Sequence, residues 1–234
     1  MITTPSERHA QMLDELGQAV VSGRFPAGHV LTLDEITTTY AASRSVAREA
    51  VRVLESMGLL SSRRRVGITV QPRERWRVFD PQLIRWRLEV GDRSAQLVSL
   101  SELRRGFEPA AAALAAERAD DEQVRTLAAA VADMAVTGRR GELSAYLEAD
   151  VTFHRTVLAA SRNEMLLALG SVVEELLTGR THHDLMPHRP NPEAIDLHEQ
   201  VARAIRDGDA AAAEQAMRAI IDEAALAVTR EHGS

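Results

Sequence analysis

The chain has 234 residues, 45% hydrophobic and 26% charged, with no cysteine. That composition suits a folded protein of one or two domains and excludes wholesale disorder, disulfides, thiolate zinc sites and cysteine nucleophiles. No stretch reaches the ~20 apolar residues of a membrane helix, and Met1 to Arg8 show no secretory pattern, so a cytoplasmic protein without a membrane partner is expected.

The net charge of -6 hides an asymmetry. Residues 1–77 carry 11 Arg against 8 Asp and Glu, a net of +3, whereas residues 78–234 carry 17 against 26, a net of -9. A basic first part attracts phosphate backbones and an acidic remainder repels them, which suggests two domains with different partners. Every basic residue is arginine, and alanine is abundant, so a mostly helical chain is expected.

His9, Met12, Leu13, Leu16, Ala19 and Val20 recur at helical spacing, and Ser22-Gly23 ends that helix. Phe25-Pro26-Ala27-Gly28 makes a turn. Thr32 can cap a short helix to about Tyr40, and Ser43 can cap the next, whose stripe is Val46, Ala50, Val53, Leu54 and Met57. Two short helices with a tight connection fit a helix-turn-helix, in which the second helix enters the major groove. Its first turn carries Arg44, Ser45 and Arg48, and an arginine fork can span guanine O6 and N7. Leu59 to Ser62 and Gly67 to Val70 then read as a hairpin around Arg63-Arg64-Arg65, a wing that can reach phosphate or the minor groove.

The run Gly23 to Gly28, the helix Ser43 to Glu55 and Gly58-Leu59-Leu60 resemble the winged-helix domain of GntR-type transcription regulators, over about residues 8–71. The resemblance implies that Arg44, Ser45 and Arg48 contact operator DNA, with Ser43 at the helix start and Arg65 and Gly67 at the wing. Where some members carry a DNA-contacting arginine early in the second helix, this chain has Asp34.

Gln71-Pro72-Arg73-Glu74-Arg75 reads as a linker that ends near Phe79-Asp80-Pro81. Beyond it the patterns predict helices over about 81–90, 94–119, 121–138, 142–160, 163–180, 192–207 and 209–230. The expected fold is therefore mainly α. A winged helix-turn-helix with a small β-hairpin (1–71) and a linker (72–80) precede an all-helical bundle of six or seven helices (81–230).

Tyr146, Asp150, Phe153, His154, Val157 and Leu158 share one helix side, and His198 falls in the stripe Ile195, His198, Ala202, Ile205. A carboxylate and an imidazole one turn apart lean the same way and suit a shared metal ion; a core Asp–His hydrogen bond is the plainer alternative.

The second part also resembles the helical ligand-binding (FCD) domain of the FadR subgroup of GntR regulators. The motifs are Leu103 to Pro109, Asp150 to His154, Leu197-His198-Glu199 and Ala216 to Ile220. Many members bind a divalent metal through an Asp and three His, and the metal helps hold a carboxylate effector. Asp150, His154 and His198 match three ligands, the fourth position is Ile220, and His182, His183 or His188 are candidate substitutes. The implied cofactor is a divalent ion of Zn or Ni type; a metal-free pocket is the alternative. Arg104 matches a motif position and can pair with an effector carboxylate, or form an intrahelical salt bridge with Glu108. Phe79 to Leu88 resembles the same region of members that respond to sugar acids.

The function expected from all this is a homodimeric repressor on double-stranded operator DNA, released by a small carboxylate in the helical effector-binding and dimerisation domain. The rival is a metal-dependent enzyme using Asp150, His154 and His198.

Overall fold

In the computed structural model, which describes residues 5–182 and 191–231, side-chain caps set several of the helix boundaries. After α1 (Pro5–Val21), Thr32 and Glu35 form a reciprocal capping box that opens α2 (Leu33–Thr39). Ser43 caps α3 (Arg44–Ser56) by accepting from the Val46 N–H. The expected hairpin forms from β2 (Leu60–Arg63) and β3 (Gly67–Val70), with Leu60 opposite Val70 and Arg63 opposite Gly67. A two-residue strand, β1 (Val30–Leu31), pairs on the other edge of β3 and gives the antiparallel order β1-β3-β2. Two residues have too little periodicity to announce a strand.

The chain divides into two compact units, Met1–Arg93 and Ser94–Ser234. The first is centred on Leu16, Ile36, Leu54 and Leu59, all fully buried. The unit takes in residues 72–93 as well. The 3-10 turn at Arg73–Arg75 packs beneath the end of α3, where a Cβ on Gly58 would stand 2.1 Å from the Arg75 carbonyl oxygen. Next, α4 (Pro81–Val90) lies on α1. Trp86 is buried there so closely over Gly17 that a Cβ would meet its ring at 2.4 Å. Asp14 Oδ1 accepts from both Trp86 Nε1 and Gln82 Nε2 at 3.0 Å. Burying a large indole with its N–H satisfied holds α4 to the first unit, a pairing invisible to local pattern.

The second unit contains α5 (Arg93–Arg118), α6 (Asp121–Arg140), α7 (Leu143–Ala160), α8 (Glu164–Leu167), α9 (Gly170–His182), α10 (Pro192–Asp207) and α11 (Ala210–Glu231). The single helix expected over 163–180 is broken between α8 and α9. A continuous helix would carry Met165 on the same face as buried Val172; the break leaves Met165 72% exposed. Phe153, Leu127, Met134 and Leu158 fill the core, and α11 adds Met217, Ile220 and Ile221. Among the described residues, no helix is long and apolar enough to cross a membrane.

Candidate functional site

The first unit presents an arginine-bearing face. Ala47, Ala50, Val51 and Leu54 bury one side of α3, which leaves Arg44, Ser45 and Arg48 exposed on the other. Ser43 is exposed at the helix start, its hydroxyl 2.9 Å from that of Ser45. Arg44 is ion-paired across the turn with Asp34 of α2, both side chains well exposed, a contact that sequence reading did not anticipate. Arg48 has no ion pair with any described residue, and Arg63, Arg64 and Arg65 stand exposed at the wing. Glu55 accepts from the Ser62 N–H and so ties the end of α3 to the wing strand. Gly67 has a packing role here: its φ is +112°, and a Cβ would meet Val30 Cγ1 at 2.8 Å.

The second unit encloses a polar cluster drawn from four helices. Asp150 and His154 lie on α7, His198 on α10, and Arg104 with Glu108 on α5, all buried. The fourth helix, α9, contributes Arg180, which is 8% exposed. Sequence reading missed Arg180, although it ends the buried stripe Val173, Leu176, Leu177 at helical spacing.

Arg104 chelates Glu108, with Nη2 3.2 Å from Oε2 and Nε on Oε1. The intrahelical pair therefore exists, and it is buried. Glu108 Oε2 lies 2.6 Å from His154 Nδ1. Burial pushes the Glu108 carboxyl up, but Arg104 and His154 outweigh it and hold the group at about 2. Burial likewise pushes His154 down, as does Arg104, but Glu108 and Asp150 together outweigh them, so the imidazole sits above its ordinary value. An ionised Glu108 makes Nδ1 the donor, and His154 Nε2 turns toward Asp150 Oδ1 at 3.4 Å. Arg104 Nη2 is 3.2 Å from that same Nε2. His198 Nδ1 donates to the Ala194 carbonyl at 2.6 Å, and its Nε2 lies 3.3 Å from Asp150 Oδ1. Burial opposes ionisation of Asp150, and the two imidazoles hold it well below the usual carboxylate range nonetheless. Phe153 packs edge-on against both rings, at 5.6 Å from His154 and 4.9 Å from His198.

Asp150 Oδ1 and His198 Nε2 nevertheless lack any aligned hydrogen bond. One carboxylate oxygen and two imidazole nitrogens within 4.8 Å of one another suit a divalent ion of Zn or Ni type. A carboxylate oxygen and a ring nitrogen left without partners in a buried site are open to such an ion. Ile220 is a buried apolar residue, His182 is exposed at the end of α9, and His183 and His188 lie outside the described residues. A surface groove of about 1070 Å³ between α6 and α10, walled by Val131, Ala135, Ile195 and Ala202, contains no member of the cluster.

Residues 9–70 match the bacterial regulatory proteins of the gntR family, and residues 99–223 match the FCD domain. The chain belongs to the GntR family. It is a DNA-binding transcription regulator with an FCD domain, and not an enzyme. It is 32% identical to the galactonate operon transcriptional repressor of Escherichia coli, over 88% of this chain and 90% of that one. It is 30% identical to the probable D-xylose utilization operon transcriptional repressor of Paenarthrobacter nicotinovorans, over 89% and 83%. Among solved structures, Lar, which controls the Listeria monocytogenes agr system, shares the fold with a TM-score of 0.60 at 15% identity, over 98% and 99% of the chains.

Proposed function

We propose that this GntR regulator is a cytoplasmic, homodimeric repressor released from its operator by a sugar acid or similar hydroxy acid bound at the Asp150–His154–His198 cluster. Two copies of α3 would read the half-sites of a two-fold operator, since a two-fold protein matches a two-fold sequence. Arg44, Ser45 and Arg48 would face base edges and phosphates, Ser43 would fix the start of α3, and Arg65 would work from the wing. The observation that carries the effector reading is that Asp150 Oδ1 and His198 Nε2 lack partners inside a buried polar cluster. Repressors of sugar and sugar-acid operons among the relatives support the ligand class.

Asp150, His154 and His198 would hold the divalent ion, which when bound supplies a Lewis-acid anchor for effector oxygens. Glu108 fixes the His154 tautomer and the Ala194 carbonyl fixes that of His198, so both Nε2 atoms face inward. Arg104 is placed beside His154 to meet a carboxylate. Release from DNA requires the effector to prefer a conformation that the operator does not accept; equal affinity for both would shift nothing.

A gel shift on fragments from the protein's own locus, at stated salt, tests this reading. Retardation of the fragment, reversed by D-galactonate or a related aldonate and restored in Asp150→Ala, is the expected result. Absence of any retarded band in low salt without the acid would overturn it.

A further inference from the structure

We infer that Arg180 is the primary anchor for the effector's carboxylate, so that the site takes an acid whose hydroxyls and carboxylate are bound at separate groups. The inference rests on the effector reading above and adds a residue and a polarity to it.

Among the described residues of this unit, the two buried guanidiniums are in opposite situations. Arg104 is neutralised by Glu108 through two contacts. Arg180 is also buried, yet its Nε has no hydrogen-bond partner and it forms no ion pair with any described carboxylate. Its electrostatic neighbours are Asp150, Glu223 and Tyr146, which favour its charge, and Arg104, which opposes it. None of these neutralises it: Asp150 lies between the two imidazoles, and Glu223 accepts from Asn191 Nδ2 at 3.4 Å. Arginine does not escape by losing its proton, so the cost of burial remains until an anion arrives.

The other orphaned atoms of the cluster complete the pattern. Asp150 Oδ1 and His198 Nε2 are both left without aligned partners, while His198 Nδ1 donates to the Ala194 carbonyl. Among the described residues, the cluster thus lacks partners for a carboxylate oxygen, a ring nitrogen and a cation. A hydroxy acid brings hydroxyl donors, or oxygens for a bound ion, to the first two and a carboxylate to the third. The planar fork of Arg180 suits that carboxylate bidentately. A neutral polyol answers only half of this demand, and a simple fatty acid only the other half.

The test compares the full-length parent with Arg180→Met and Arg180→Lys by titration calorimetry and thermal unfolding. The probes are D-galactonate, D-gluconate and the uncharged polyol galactitol. For the parent, we expect binding of at least one aldonate and none of galactitol. In Arg180→Met, aldonate affinity should fall at least about tenfold, as for loss of a charge-assisted pair. Its ligand-free Tm should hold or rise, because an uncompensated buried charge has gone; a merely structural arginine would lower it. An aldonate Kd within about threefold of the parent's in Arg180→Met overturns the role of Arg180 and leaves the effector reading standing. A parent that binds none of the acids overturns both. Should Arg180→Met fail to fold, Arg180→Lys decides: a weakened aldonate Kd supports the assignment, and an unchanged one overturns it.

Discussion

Arginine does opposite jobs in the two units. On α3 and the wing it stands in water, where an unpaired guanidinium is solvated at no cost and available to phosphate. In the helical unit Arg104 and Arg180 are enclosed among α5, α7 and α9, where every charge needs a counter-charge or a ligand. The difference teaches how to tell a docking face from a pocket. In the first the informative quantity is exposure, and in the second it is which partners are missing.

The sharpest way to break this contrast is to remove a compensating charge. Glu108→Ala would strand Arg104 and His154 in the interior, and we expect a loss of about 3–5 kcal/mol. For a chain of this size that lowers the thermal midpoint by roughly 6–20 °C, read by calorimetry. An unshifted midpoint would mean that the buried network contributes nothing. The same carboxyl predicts an acid limb. Its pKa is lowered from 4.5 to about 2, so its stabilisation is fully present above 4.5 and drains away as the pH falls toward 2. Denaturant unfolding of Glu108→Gln should lack that limb.

A smaller effect is expected on the exposed face. Arg48→Ala should weaken specific operator binding by about 1–3 kcal/mol with the thermal midpoint unchanged, whereas Arg64→Ala should mainly flatten the dependence of log K on log salt, by about 0.9. Equal operator titrations for Arg48→Ala and the parent would place base reading elsewhere.

Asp34→Asn sharpens the comparison further. The Arg44–Asp34 pair is exposed, so its loss should change stability by less than ~0.5 kcal/mol. Freeing Arg44 and deleting a negative charge from the α2 end should tighten DNA binding, most visibly at low salt. Weaker binding would show instead that Asp34 positions Arg44 for the operator. Nearby, Ala41 holds φ +48° in the connection between α2 and α3, where an L side chain is strained. Ala41→Gly should raise stability by about 0.5–1 kcal/mol in a denaturant titration.

Much of this was legible residue by residue. Thr32 and Ser43 announced α2 and α3 because an N-cap needs only local chemistry, and Asp150 with His154 announced an inward face because their spacing is one helical turn. Arg180 was not legible as a site residue, since an arginine at the end of an apolar stripe reads equally well as a side chain reaching for water. The placement of α4 depended on Trp86 finding Gly17 and Asp14, far away along the chain.

What the sequence by itself determined is the helical period, the caps, the turn between α2 and α3 and the family to which the chain belongs, because each is written in neighbouring residues. Only the tertiary structure decided which charges are satisfied. Glu108 compensates Arg104 and orients His154, while Asp150, His198 and Arg180 keep atoms without partners. Pairing inside a core depends on distances between side chains from separate helices, and no local pattern contains those distances.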